Sequence, residues 1–154
     1  MRALDFAAAL FSLMLLASPA SAADDSYSAG ASDDGLRPAR MQIAEKNWLG
    51  AVATLNAYTR THPKSADGYN LLGYSYRQLQ RYNESLDAYQ RALALDPRHR
   101  GAHEYIGEAW LMAHQPAKAE EHLATLAKLC NSACEEHDDL KKAIAAWRTA
   151  NPGR

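Results

Sequence analysis

NLLGYSYRQL, residues 70–79, places Gly73 inside a segment that otherwise has the pattern of a helix. A glycine within a helix costs about 1 kcal/mol relative to alanine. A second glycine, Gly107, lies in a similar setting in HEYIGEAWLM, residues 103–112. The two glycines are 34 residues apart. We therefore expect each glycine to serve a packing role that recurs along the chain.

The whole central part of the sequence repeats at this offset of 34 residues. Tyr76 aligns with Trp110, and Pro63 aligns with Pro97. Repetition at a fixed period of about 20–50 residues is the signature of proteins built from stacked structural units. The other aligned pairs are Leu72 with Ile106, Ser85 with Ala119, Tyr89 with Leu123 and Ala92 with Leu126.

Each period contains two helical segments. In the first segment, apolar residues recur at spacings of three and four, as at Tyr69, Leu72 and Tyr76. Leu86 and Tyr89 begin the same pattern in the second segment. No segment shows the alternating pattern of a strand. The sequence therefore predicts an all-α fold, an α-solenoid of helix–turn–helix units.

The unit at residues 66–99 resembles a tetratricopeptide repeat (TPR), whose pattern is W-x2-L-G-x2-Y…A-x3-F…A…P. The substitutions are mild, with serine for alanine and tyrosine for tryptophan or phenylalanine. The resemblance implies a TPR domain over residues 36–130. The matching residues are Tyr69, Leu72, Gly73, Tyr76, Ser85, Tyr89, Ala92 and Pro97.

The neighbouring units depart further from the TPR pattern. The unit at residues 100–131 has His103 at an apolar position and Asn131 where a proline is usual. The unit at residues 36–65 is degenerate, because its first helix is short and contains Pro38. We expect two well-formed units and one degenerate unit.

Close crossing of the two helices within a unit accounts for the glycines. The first helix must lack side-chain bulk where the second helix presses on it. We predict that Gly73 faces Ser85 and that Gly107 faces Ala119, since each pair is small on both sides. Burial of each large apolar side chain nearby contributes roughly 1.5–3 kcal/mol and offsets the helical cost of the glycine.

The resemblance also implies a concave groove lined by the first helices of successive units, where a segment of another protein would bind. Relatives that clamp acidic chaperone tails carry Lys, Asn and Arg in this groove. This chain has Glu104 and Glu108 there, so we do not expect that clamp. The residues that we call the predicted groove are Arg40, Asn70, Tyr74, Arg77, Glu104, Glu108 and Leu111.

Composition and motifs argue against other function classes. The formal net charge is −1 at pH 7, which gives no basic surface for nucleic acid. No nucleophile, metal-ligand or phosphate-loop motif occurs at its usual spacing. We therefore expect no catalytic residue, no metal and no cofactor. The expected role is a non-catalytic scaffold or assembly adaptor in the cell envelope, and a self-associating structural protein is the open alternative.

The N-terminal residues have the pattern of a secretory signal peptide, predicted over residues 1–22. Arg2 precedes an apolar run at residues 6–17, and a small-residue cleavage site ends at Ala22. The run is shorter than the roughly 20 residues of a membrane-spanning helix, which favours a cleaved signal over an uncleaved anchor. Residues 23–35 are small and acidic, so we predict a disordered leader. The expected location is the periplasm or the cell exterior.

Residues 132–150 are predicted to form a capping helix. Ser132 and Glu135 have the S-x-x-E spacing of a capping box. Leu140, Ile144 and Trp147 give the segment an apolar stripe. A stack of repeats needs a terminal helix with a polar outer face, and this segment fits that need.

Cys130 and Cys134 are the two cysteines of the chain, and in an exported protein such a pair favours a disulfide. Cβ atoms four residues apart in a continuous helix are about 5–6 Å from each other, which is too far for the bond. A disulfide therefore requires the helix to break between them. The alternative is a thiol or metal site formed by Cys130, Cys134 and His137, although no fourth ligand is evident.

Overall fold

The structure is a computed structural model that describes residues 34–131 and 134–153. The predicted signal peptide and nearly all of the predicted leader lie outside these residues. The described residues form a short 3-10 helix, Asp34–Leu36, and seven α-helices, without any strand. The helices are α1 (Arg37–Ala44), α2 (Trp48–Thr61), α3 (Ala66–Gln78), α4 (Tyr82–Leu95), α5 (Arg100–Met112), α6 (Pro116–Leu129) and α7 (Glu135–Ala150).

The helices stack as three antiparallel pairs and a final single helix. Helices α1 and α2, α3 and α4, and α5 and α6 each pack against each other. Between pairs, α2 packs on α3 and α4 packs on α5. This order is that of an α-solenoid, which confirms the predicted fold class.

The turn within each pair has the same backbone conformation. Its central residue is Lys46, Gln80 or His114, with φ of 58°, 60° and 56°. The residue after Gln80 donates its backbone N–H to the Tyr76 carbonyl at 3.0 Å, and Gln80 itself donates to Arg77 at 2.9 Å. These two bonds define a Schellman motif, and the other two turns repeat it. The 34-residue period is therefore present in the backbone as well as in the sequence.

The core consists of three clusters, each of which joins neighbouring units. The first contains Leu55 and Leu72, and the second contains Tyr89 and Ile106. The third brings Leu126 of α6 together with residues of α5 and α7. A single helix pair cannot bury its apolar faces alone, so stacking of the units supplies the core.

The structure changes the reason for the two helical glycines. A Cβ atom at Gly73 would lie 2.7 Å from the ring of Tyr89, while Ser85 donates its hydroxyl to the Gly73 carbonyl at 2.8 Å. The tyrosine ring therefore occupies the space, and Ser85 contacts the backbone. At Gly107 the atom nearest to a Cβ would be Leu140 Cδ2 of α7, at 2.6 Å. The side chain of Leu140, and not Ala119 as predicted, therefore explains why position 107 is a glycine.

Helix α7 leans onto α5 more than the earlier first helices lean on one another. Its contact with α5 is more extensive than its contact with α6, whereas α5 contacts α4 far more than α3. The side chain of Leu140 packs on α5 at Gly107, and the absence of a side chain on this glycine lets α7 approach α5 closely. The cap helix therefore covers part of the face that the first helices share.

The helical conformation is interrupted between α6 and α7. Helix α6 ends at Leu129, and Cys130 and Cys134 are joined by a disulfide with Cα atoms 5.7 Å apart. The predicted break between the cysteines is present. The predicted capping box is wrong, because the N-cap of α7 is Cys134 and Glu135 is the first helical residue. Within the described residues, no helix is both long enough and apolar enough to cross a membrane.

Candidate binding groove

The structure places the residues of the predicted groove on α1, α3 and α5, with very different exposure. Arg40 is exposed, whereas Tyr74, Glu104 and Glu108 are half-buried. The remaining residues of the predicted groove are buried within the helix stack. The buried residues are Asn70, Arg77 and Leu111.

Arg77 serves the packing of α3 on α5. Its guanidinium forms an ion pair with Glu108, and the two side chains are 6% and 23% exposed. The same guanidinium carbon lies 5.5 Å from the ring centre of Tyr74 and 5.4 Å from that of Tyr105. A charge held by a carboxylate and two rings is engaged within the protein. Arg77 is therefore a link between units rather than a free charge for a ligand.

Aromatic rings connect Tyr74 to neighbouring helices of the stack. Trp48 packs edge-on against Tyr74 with ring centres 6.0 Å apart. Tyr74 is in turn 5.3 Å from Tyr105, which is 6.3 Å from Tyr89. Sequence reasoning missed Tyr105, because the equivalent position one repeat earlier is Leu71 and gives no aromatic signal.

The C-terminal turns of α3, α5 and α7 enclose a cleft of about 580 Å³. Glu108 and Leu111 lie in its lining, and so does Trp147 of α7. Met112 also lines the cleft and is 47% exposed, one of the few large apolar side chains in the described residues to be so. The apolar stripe of α7 was visible in the sequence, but its position beside α5 was not. The cleft adds an apolar wall to the predicted groove.

The N-terminal half of α5, outside the lining of the cleft, has an acidic environment. Glu104 is half-buried, and its pKa is raised to about 7, with burial as the largest cause. The negative charges of Glu108 and of Asp139 and Glu136 on α7 contribute to this rise, while Arg77 acts in the opposite direction. The lean of α7 therefore brings two more carboxylates to a glutamate that the sequence had placed in the groove.

Histidines outside the predicted groove have defined structural roles. His99 accepts a hydrogen bond from the Ala102 N–H at Nδ1, so its Nε2–H donates to Asp67 at 3.0 Å. This bond lowers the pKa of the Asp67 carboxyl. His99 thus caps α5 and ties it to α3, a role that the sequence did not indicate.

His103 and His122 form a pair between α5 and α6. The Nε2–H of His103 donates to the Pro97 carbonyl at 3.1 Å, so its Nδ1 accepts from the Nδ1–H of His122 at 2.9 Å. Burial and the neighbouring His103 lower the pKa of His122 to about 4. The two histidines are 19 residues apart, a spacing that matches no motif, so the sequence did not predict the pair.

Residues 34–131 and 134–153 do not have the geometry of the alternative thiol or metal site. Cys130 and Cys134 are bonded to each other, and His137 Nδ1 lies 3.1 Å from Asp138 Oδ1. Within those residues, no group of three or more His, Cys, Asp or Glu side chains is arranged to hold a metal ion.

Comparison with protein families and solved structures agrees with this geometry. The family model described as "Tetratricopeptide repeat" matches residues 66–99. No curated protein matches the sequence significantly.

Three similar solved structures show the extent of the likeness. MamA from Desulfovibrio magneticus RS-1 is 25% identical with a TM-score of 0.61, over 63% of this chain and 55% of that one. The chain thus spans little more than half of the MamA structure. The TPR2B domain of yeast Sti1 in complex with pHsp70 is 21% identical, with a TM-score of 0.66 over 74% and 95% of the two chains. The type III secretion translocator chaperone SycD of Yersinia enterocolitica is 15% identical, with a TM-score of 0.68 over 75% and 82%. The last two likenesses concern the fold alone.

Proposed function

Because the described helices stack as an α-solenoid and residues 66–99 match the tetratricopeptide repeat model, we propose that this chain binds a segment of another protein in the predicted groove and acts as a non-catalytic scaffold or assembly adaptor in the cell envelope. The observation that carries this proposal is the cleft between α3, α5 and α7. It combines the exposed Met112 and the ring of Trp147 with the carboxylate of Glu108. An apolar cleft with a few polar groups is the usual form of a binding site.

Solved relatives support a protein as the ligand. The TPR2B domain of Sti1 was solved as a complex with pHsp70, and SycD is a translocator chaperone. Those partners are not transferred to this chain. Neither is any role of MamA, since the chain spans only part of that structure.

Photo-crosslinking tests the groove directly. A photoreactive benzophenone amino acid replaces Met112 in the cleft or, as the matched control, the exposed Gln90 on α4. We expect position 112 to capture a defined protein from a cell-envelope extract and position 90 not to capture it. Equal capture at both positions, or at neither, would contradict binding in the groove.

The envelope location rests on the N-terminal sequence and on the disulfide. Disulfides persist in oxidising compartments and are rare in the cytosol. Cell fractionation and N-terminal sequencing of the natural protein test this part of the proposal. We expect a chain in the envelope or culture fluid that begins at Ala23, and an intact chain in the cytosol would contradict the location.

A further inference from the structure

The disulfide between Cys130 and Cys134 lies at the junction of α6 and α7. Cys130 is the C-cap of α6, and Cys134 is the N-cap of α7. Asn131, directly after Cys130, has a left-handed backbone with φ of 54°. Cβ atoms four residues apart in an unbroken helix are about 5–6 Å from each other, whereas a disulfide holds them about 3.5–4.5 Å apart. The oxidised form is therefore compatible only with two separate helices at this junction.

The bond is placed where a thiol can reach it and where its effect is local. Both cysteine residues are partly exposed. Exposed disulfides are in general the labile or regulatory ones, because exchange requires a thiolate to reach one of the two sulfur atoms. The cysteines are only four residues apart, and a cross-link that closes so short a loop restricts the unfolded chain little. The main effect of the bond is therefore on the angle between α6 and α7.

Helix α7 is otherwise held in place by few contacts. Leu140 and Ile144 are its buried side chains. Its ion pairs with neighbouring helices, Arg148 with Glu120 of α6 and Glu136 with Arg100 of α5, involve largely exposed side chains. Ion pairs of this kind contribute little to stability. The packing of α7 is therefore sensitive to the loss of its covalent link to α6.

The packing of α7 on α5 forms one side of the cleft between α3, α5 and α7. Ala143 and Trp147 line the cleft from α7, and the ring centre of Trp147 lies 6.2 Å from that of His114. Leu140 packs on α5 at Gly107. A movement of α7 away from α5 therefore removes one apolar wall of the cleft.

We propose that the disulfide between Cys130 and Cys134 is a redox switch for the cleft. The oxidised form holds α7 on α5, and the reduced form loosens α7 and weakens binding of the partner segment. The switch rests on the proposed function, because the activity that it regulates is binding in the cleft.

Reduction consumes two molecules of a small thiol such as glutathione. The first thiolate attacks one cysteine sulfur and forms a mixed disulfide, and the other cysteine leaves as a thiolate that takes up a proton. A second thiolate then attacks the mixed disulfide and releases the first cysteine, which is protonated in turn. The protein disulfide gains two electrons, and the two small thiols are oxidised to one disulfide.

Maleimide labelling of the folded protein tests whether the bond is accessible to such a thiol. The protein is incubated with reduced glutathione without denaturant, and the labelled thiols are counted by mass spectrometry. We expect two labels after incubation with glutathione and none before it. Labelling that occurs only in denaturant would overturn the proposal.

Hydrogen exchange followed by mass spectrometry tests the effect of reduction on α7. We expect residues 135–150 to exchange at least tenfold faster after reduction with dithiothreitol, while residues 82–95 of α4 exchange as before. The matched control is the double variant Cys130→Ser, Cys134→Ser, which is expected to exchange like the reduced protein and not to respond to dithiothreitol. Equal exchange of α7 in both redox states, or equal acceleration in α4 and α7, would overturn the switch.

Photo-crosslinking from position 112 in both redox states lets the switch and the proposed function fail separately. We expect the oxidised protein to capture at least tenfold more of the partner than the reduced protein. Equal capture in both states would overturn the switch and leave groove binding intact. Exchange of α7 that depends on the redox state, without capture in either state, would support the control of α7 by the disulfide and contradict the groove function.

Discussion

Gly73 and Gly107 occupy the same place in successive repeats but accommodate different neighbours. The ring of Tyr89, fully buried, takes the space beside Gly73. Two methyl groups of Leu140 take the space beside Gly107. A ring fixed in the core cannot move aside, whereas the end of a leucine can adjust by a change of rotamer. Glycine is therefore required at both positions for different reasons, and more strictly at position 73 than at position 107.

This difference predicts unequal costs of adding one methyl group. Gly73→Ala is expected to destabilise the protein by about 1–3 kcal/mol through overpacking, despite the helical preference of alanine. Gly107→Ala is expected to cost less, because the methyl groups of Leu140 can yield. Urea denaturation of each variant measures the change in the free energy of unfolding.

Gly101→Ala is the control for these two variants. Its Cβ atom would lie 3.6 Å from its nearest neighbours, an ordinary contact, so the change should be neutral or slightly stabilising. A Gly73→Ala variant as stable as Gly101→Ala would show that the ring of Tyr89 does not constrain the glycine.

At the scale of the helices, the three Schellman turns carry a left-handed residue that is never glycine. Lys46, Gln80 and His114 hold φ near +60°, a conformation that costs side-chain-bearing residues roughly 1–2 kcal/mol. Glycine is the residue usually found at this position of a helix end. The turns are therefore set by the packing of the helices that they join and not by the preference of their own residues.

Replacement of the turn residue should consequently stabilise a unit. Gln80→Gly is expected to raise the free energy of unfolding by about 0.5–1 kcal/mol, because the cost of the left-handed backbone is removed. Gln90→Gly, the same substitution on the exposed side of α4, should lower it by about 1 kcal/mol. Chemical denaturation compares the two variants. A loss of stability in both would mean that the side chain of Gln80 has a role of its own.

At the scale of the whole molecule, the titrations of two half-buried side chains have opposite effects on stability. The folded state disfavours protonated His122, so stability falls as the pH drops from about 6.5 toward 4. The folded state also disfavours ionised Glu104, so stability falls as the pH rises from about 4.5 toward 7. The windows overlap, and the two slopes partly cancel between about pH 4.5 and 6.5.

Single variants should reveal each slope. Glu104→Gln is expected to gain about 1–2 kcal/mol of stability at pH 8 relative to wild type and little near pH 4, where the wild-type glutamate is mostly protonated in both states. Thermal and urea unfolding across pH 4–8 measure this difference. A gain that is independent of pH would assign the effect to packing rather than to the carboxyl charge.

Most of the fold could be predicted because its signals are local. The apolar spacing of Leu72 and Tyr76, the 34-residue period and the requirement for a helix break between Cys130 and Cys134 each depend on a few neighbouring residues. Helix starts were less certain. The start of α7 at Glu135 follows from the disulfide-linked turn and not from the S-x-x-E spacing.

The sequence by itself determined the helical units and their repetition, because periodicity specifies the buried side of each helix, while the sharing of one face by the first helices was implied by the resemblance to tetratricopeptide repeats. Only the tertiary structure decided what that face contains. The lean of α7 onto α5 over Gly107 brings two acids to Glu104, and the approach of α3 to α5 takes Arg77 out of solvent. Both depend on how closely helices distant in the sequence pack, and no spacing within one helix records that distance.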